Sequence, residues 1–135
     1  MGNITCTAAD VRPLRGAVIR HFVADAAIDM GAAVYMKSDG EVAESNAGAI
    51  GTTLATIGIA VATPSGSTAA AAGESVDVVV DGPVTGYSSM TPGGLCYTSD
   101  TAGSIGTTAG TKDTIVGLSL SATTILVRVE TIDLT

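Results

Sequence analysis

His21 is the only histidine in the chain, so any Ser-His-Asp or Cys-His device would have to be built on it. It follows Arg20 in a run of strand-forming residues, the setting of an ordinary, partly exposed side chain. No Gly-x-Ser-x-Gly elbow, His-Glu-x-x-His helix or phosphate-binding loop occurs. Asp39, Glu41 and Glu44 cluster around a turn and offer the oxygen ligands that Ca²⁺ takes. The loop is shorter and poorer in ligands than a calcium loop, and a solvated hairpin tip is the expected reading. Asp77 and Asp81 alternate on one face of a strand, about 13 Å apart at a rise of roughly 3.3 Å per residue. That is too wide for a retaining glycosidase pair and beyond the usual inverting spacing. Cys6 and Cys96 make no metal or redox motif. Cys96, in Gly-Leu-Cys-Tyr-Thr, reads as a buried small hydrophobe, and Cys6 as a thiol in an exposed segment. The chain is therefore expected to be no enzyme, with no cofactor, no catalytic residues and no metal site.

The chemistry that remains is basic and sits near the N-terminus. Arg12, Arg15 and Arg20 face Asp10 alone within residues 1–22, whereas the rest of the chain sets twelve acids against Lys37, Lys112 and Arg128. An irregular basic arm has no reason to fold by itself. Docking on a negatively charged protein surface would satisfy it. Val11, Arg12, Leu14, Arg15 and Arg20 are the expected partner-binding residues.

Composition narrows the class further. The net charge of −7 excludes the basic footprint that a nucleic-acid binder needs. Only 14% of the residues are charged and 3% aromatic, with no Trp, in 135 residues. Val, Ile, Leu and Ala must build the core of what length suggests is one domain. A chain so poor in charge, with a mean hydropathy of +0.47, suits assembly better than a solitary, heavily solvated life. No signal peptide is read at the N-terminus. The uncharged stretch from Ser45 to Gly73 is too rich in Gly, Thr and Ser for a spanning helix, and reads as strand plus loop.

The elements that must position these residues are strands. Residues 1–16 hold Pro13 and end at Gly16, and read as an extended N-terminal arm, mobile until docked. Residues 17–135 read as the β-rich domain. Ala17–Val23 and Ala33–Lys37 are rich in β-branched and aromatic residues. Ser38-Asp39-Gly40 turns the second of these into Glu41-Val42-Ala43. Ile57–Ala62 follows, while Ala69–Ala72 fits a helical turn or an extended connection equally. In Ser75–Asp81, Val76, Val78 and Val80 share one face, with Asp77, Val79 and Asp81 on the other. Gly82-Pro83 punctuates that strand. Thr91-Pro92-Gly93-Gly94 turns into Leu95–Thr98. Residues 99–113 read as a surface excursion, and Ile115–Leu120 with Thr124–Glu130 as a closing hairpin. The expected fold is all-β, a small antiparallel sandwich or barrel-like domain with little helix.

The succession of these segments carries a resemblance. Val11-Arg12-Pro13-Leu14-Arg15-Gly16-Ala17-Val18-Ile19-Arg20 leads through Gly31 to Ala33-Val34-Tyr35-Met36 and Asp39-Gly40. Gly58-Ile59-Ala60-Val61 and Ala71-Ala72-Gly73-Glu74-Ser75-Val76-Asp77-Val78-Val79 come next. Gly82-Pro83-Val84-Thr85-Gly86-Tyr87-Ser88, Met90-Thr91-Pro92-Gly93 and Val116-Gly117-Leu118-Ser119-Leu120-Ser121-Ala122-Thr123-Thr124 complete it. In this order, from about Val11 to Val129, the chain resembles the small capsid decoration (cement) proteins of tailed bacteriophages. The resemblance implies a homotrimer made in the host cytoplasm and seated on the outer capsid surface of the virion. There it would clamp neighbouring major capsid protein subunits after the shell expands, with no catalytic residue, no nucleic acid and no membrane as partner. A head-fibre base or tail component is the alternative within virions. A carbohydrate-binding β-module is a further one, opposed by the lack of Trp.

Overall fold

The computed structural model describes residues 4–45, 56–99, 101–107 and 114–131. The chain opens with β1 (Thr5–Cys6), a 3-10 turn (Ala8–Asp10), β2 (Arg12–Pro13) and β3 (Val18–Val23). It continues with β4 (Ile28–Asp29), β5 (Ala33–Met36), β6 (Val42–Glu44), β7 (Thr56–Ala62) and β8 (Ala69–Ala70). Then come β9 (Ser75–Thr85), β10 (Tyr87–Ser88), β11 (Leu95–Thr98), β12 (Ile105–Gly106), β13 (Thr114–Ser119) and β14 (Thr124–Thr131). The expected all-β, antiparallel class is what forms, and the main sheet curls into a half-barrel. Its order is β12-β11-β13-β14-β9-β7-β5-β6.

The predicted turns sit where their residues demand them. Gly40 has φ +89° and closes β5 onto β6, with Lys37 N–H donated to Glu41 O at 2.8 Å. Gly94 N–H is donated to Thr91 O at 3.1 Å around Gly93. Ala69 and Ala70 are extended and pair with Asp29 and Ile28, which settles that segment as strand. Residues 46–55 of the long uncharged stretch, and residues 100 and 108–113 of the surface excursion, lie outside the described residues.

Three sequence expectations are corrected. First, Gly82-Pro83 does not end its strand, because β9 runs through it to Thr85. Gly82, at φ +110°, lies against Ala17, and Pro83 offers its carbonyl to Leu14 N–H at 3.0 Å. Second, Val79 does not share the environment of Asp77 and Asp81, with which alternation places it on one face: it is fully buried where β3 and β7 flank β9, while Asp81 is exposed. Third, the described part of the arm lies along the body. β1 pairs with β10 and β2 with β9, and Ile4 N–H is donated to Ile105 O at 2.7 Å.

The core is aliphatic, as the composition requires. Ile28, Val34, Val42, Ile59, Val76, Val78, Val84, Val116, Ile125 and Val127 are all fully buried. At roughly 1.5–3 kcal/mol for each large aliphatic side chain removed from water, this set replaces the missing aromatics.

Candidate partner-binding surface

β9 is the strand on which the candidate site is built. Along one side it pairs with β14 and then β7; along the other it pairs with β2 and then β3. β2 and β3 thus form one interrupted edge strand. The interruption is a turn in which Ala17 N–H is donated to Leu14 O at 3.1 Å, with Gly16 at φ +95°. That turn pushes Leu14, Arg15 and Gly16 into solvent while the flanking residues stay in register.

The structure brings Arg12, Leu14, Arg15 and Arg20 together on this exposed edge. Val11 is not among them. It is 8% exposed and belongs to the core, packed where Gly86 and Gly31 leave room for it. Val11 is therefore a core residue and not part of the exposed edge on which the other expected partner-binding residues lie. Sequence reasoning missed Val18, Ile19 and Val23, which are exposed along β3, the continuation of Leu14's edge. A run of β-branched residues looks the same in an edge strand as in a central one, so its exposure could not be read from residue types.

His21 has an ordinary role on this edge. Its Nδ1 lies 2.5 Å from Asp77 Oδ1 on the neighbouring strand, with the ring largely in solvent. Arg12 also borders an open polar hollow of about 370 Å³, with Asp10, Thr85, Ser88 and Thr123. The one ring lining it, Tyr87, is buried and donates its hydroxyl to Gly31 O at 2.7 Å, so it has no free face to stack on a sugar.

The acidic hairpin tip rearranges the expected carboxylate set. Asp25, Asp39 and Glu41 converge, and Lys37 Nζ sits 2.6 Å from Asp25 Oδ2 among them. The lysine's hydrogen bond holds the Asp25 carboxyl below its ordinary range and raises Lys37 in return. The cluster therefore carries its own cation. Glu44 is elsewhere, accepting the backbone N–H of Asp29 at 3.0 Å beneath Gly103. Both cysteines are free thiols. Burial, helped by nearby Asp29, pushes Cys6 to about 11, and burial raises Cys96 as well, so neither is a thiolate nucleophile at neutral pH.

Glu44 yields a testable consequence. Burial raises its carboxyl above 4.5, against the lowering effect of the Asp29 N–H. A carboxyl raised on folding binds more protons in the native state. It costs stability as pH climbs from the unfolded value through the raised one. Glu44→Gln keeps an acceptor for Asp29 N–H and removes that cost. Its melting temperature at neutral pH is expected to equal or exceed that of the natural chain, and its profile to be flatter between about pH 4 and pH 7. Thermal melts across that range check this; a large loss at neutral pH would contradict it.

No helix among the described residues is long and apolar enough to cross a membrane. No protein-family model matches the chain, and no curated protein matches it.

Proposed function

We propose that the chain is a structural capsid decoration (cement) protein of a tailed bacteriophage. It binds the outer surface of the major capsid protein lattice as a homotrimer and stabilises the expanded head. One observation carries the reading: the edge formed by β2 and β3 presents Arg12, Arg15 and Arg20 together with Leu14, Val18, Ile19 and Val23, on a chain of net charge −7. Such an edge is the part of a sheet protein most prone to pair with another chain. Apolar burial supplies most of the affinity, because exposed ion pairs contribute only about 0–1 kcal/mol each. Multivalency across three copies multiplies what one copy gains.

The test uses heads assembled with and without the chain. Decorated heads are expected to survive higher temperature and internal pressure than bare ones, and adding the purified chain back restores the difference. Arg12→Ala/Arg15→Ala/Arg20→Ala is expected to weaken attachment and flatten its salt dependence. It should leave the melting temperature almost unchanged, since exposed substitutions stay within about 0.5 kcal/mol. If bare and decorated heads rupture alike, the cement reading fails, and a fibre-base or tail role takes its place.

A further inference from the structure

The register of the sheet lines up a feature invisible along the chain. Leu95 stands opposite Leu118, Leu118 opposite Leu126, and Leu126 opposite Pro83. Leu14 closes the row, its N–H bonded to the Pro83 carbonyl. One apolar row thus crosses β11, β13, β14 and β9 and ends at the edge strand. It faces outward, because the alternating side chains of Cys96, Ile125 and Val127 are buried in the core. Leu95 is 44% exposed and Leu14 37%, and the middle of the row floors a shallow hollow of about 240 Å³ bordered by Arg128.

The chain's arginines gather around this row. Arg12 lies two residues to one side of it, opposite Thr85, and Arg128 two residues to the other, opposite Asp81. Arg15 follows Leu14 directly, and Arg20 lies further along the same edge. All four are exposed, and none forms an ion pair among the described residues. They are every arginine of a chain that has thirteen acidic residues. Arg12 and Arg128 flank the row on its own face, beside Asp10 and opposite Asp81, while Arg20, opposite Val78, extends the basic edge. Guanidinium groups match carboxylates in planar, two-point hydrogen bonds.

We infer that this outer face, and not the N-terminal segment alone, is the docking surface, and that its occupant is an acidic, aliphatic-bearing surface of the capsid protein. The inference rests on the cement reading and names the face that does the binding. A second copy of the chain fits poorly. A twofold contact would set these arginines against themselves. A head-to-tail contact with the Val18, Ile19 and Val23 strip would bring Arg20 up to Arg12 and Arg128. A phosphate backbone or an anionic membrane would repel the acidic body, and a leucine row offers nothing to a phosphate.

The experiment measures binding of the full chain to heads assembled without it, by co-sedimentation over a range of salt. Leu95→Glu and Arg12→Glu/Arg128→Glu are each expected to raise the dissociation constant at least about tenfold, a shift of roughly 1.4 kcal/mol. Circular dichroism and sedimenting mass should stay unchanged. The charge-reversal pair is fully on the surface, so it keeps the test decisive if Leu95→Glu disturbs the fold. Natural chain that binds while both variants bind equally well overturns the face and leaves the cement reading standing. Loss of oligomer mass in either variant overturns it by making the row a contact between copies. Binding to phosphatidylserine vesicles or duplex DNA as tight as to heads overturns the choice of a protein partner. Natural chain that fails to bind heads removes the reading beneath it.

Discussion

Gly58→Ala and Gly117→Ala, each a single added methyl, are expected to destabilise the fold by about 3 kcal/mol or more each. Neither glycine is in the left-handed region; what each supplies is space. A Cβ at Gly58 would overlap the Val79 carbonyl oxygen and sit 2.9 Å from its carbon. A Cβ at Gly117 would meet the Leu126 carbonyl in the same way, also 2.9 Å from its carbon. The obstacle is backbone in both cases, so no side chain can rotate aside. Both positions lie beside register shifts, between Val34 and Tyr35 and between Ile115 and Gly117. The strands there have already spent their freedom to slide. Overpacking alone costs about 1–3 kcal/mol. Displaced ladder hydrogen bonds add to it, taking the total above about 3 kcal/mol, against a typical domain stability of about 5–15 kcal/mol. Gly66→Ala is the control. Gly66 has open space around it and only its φ of +78° to lose, so the expected loss is about 1 kcal/mol. Thermal melts should separate the two classes by about 10 °C or more. Melting of Gly117→Ala within a few degrees of the natural chain would refute the close-approach account.

These glycines show what a residue string conveys and what it withholds. Asp39-Gly40 and Pro92-Gly93 are legible because the turn chemistry is local: the residue that needs positive φ is the one present. The strands around Val34, Ile59, Val76 and Leu126 are legible because β-branched and aliphatic runs between such turns have few other uses. Gly58 and Gly117 are silent in the sequence, since the atoms they avoid belong to residues on other strands. The same holds for the leucine row. A one-residue bulge shifts which face a side chain takes, and β13 carries one extra residue relative to β11 between Ile115 and Gly117. Leu118 therefore reads as core in a string and faces outward in the sheet, with Leu95 and Leu126 paired to it on that face. Val11 errs the other way. Between Asp10 and Arg12, in a segment broken by Pro13 and Gly16, it looks exposed, and Gly31 and Gly86, far along the chain, make the space that buries it.

Removing residues 1–16 is expected to destabilise the domain itself, beyond any effect on attachment. The segment would take away the Val11 side chain from the core and expose the surfaces around Gly31 and Gly86 that it covers. It would unpair β10 from β1 and the end of β9 from β2. The backbone bonds Ile4 N–H to Ile105 O, at 2.7 Å, and Thr7 N–H to Gly86 O, at 3.0 Å, would go with it. A buried aliphatic side chain truncated to Ala costs about 1–3 kcal/mol at a site of this size, and each net hydrogen bond about 0.5–1.5 kcal/mol. The sum exceeds about 3 kcal/mol, enough to lower the melting temperature by about 10 °C or more. Three variants of graded severity separate structure from binding. Arg12→Ala/Arg15→Ala/Arg20→Ala should melt like the natural chain yet bind heads more weakly. Val11→Ala should melt lower and bind in proportion to its folded fraction. The deletion should do both, melting lowest of the three. Limited proteolysis gives the independent reading, because cleavage in the exposed turn at Arg15 should be followed by loss of the body, with no stable trimmed domain left behind. A deletion that melts with the full-length chain would return residues 1–16 to the status of a dispensable arm.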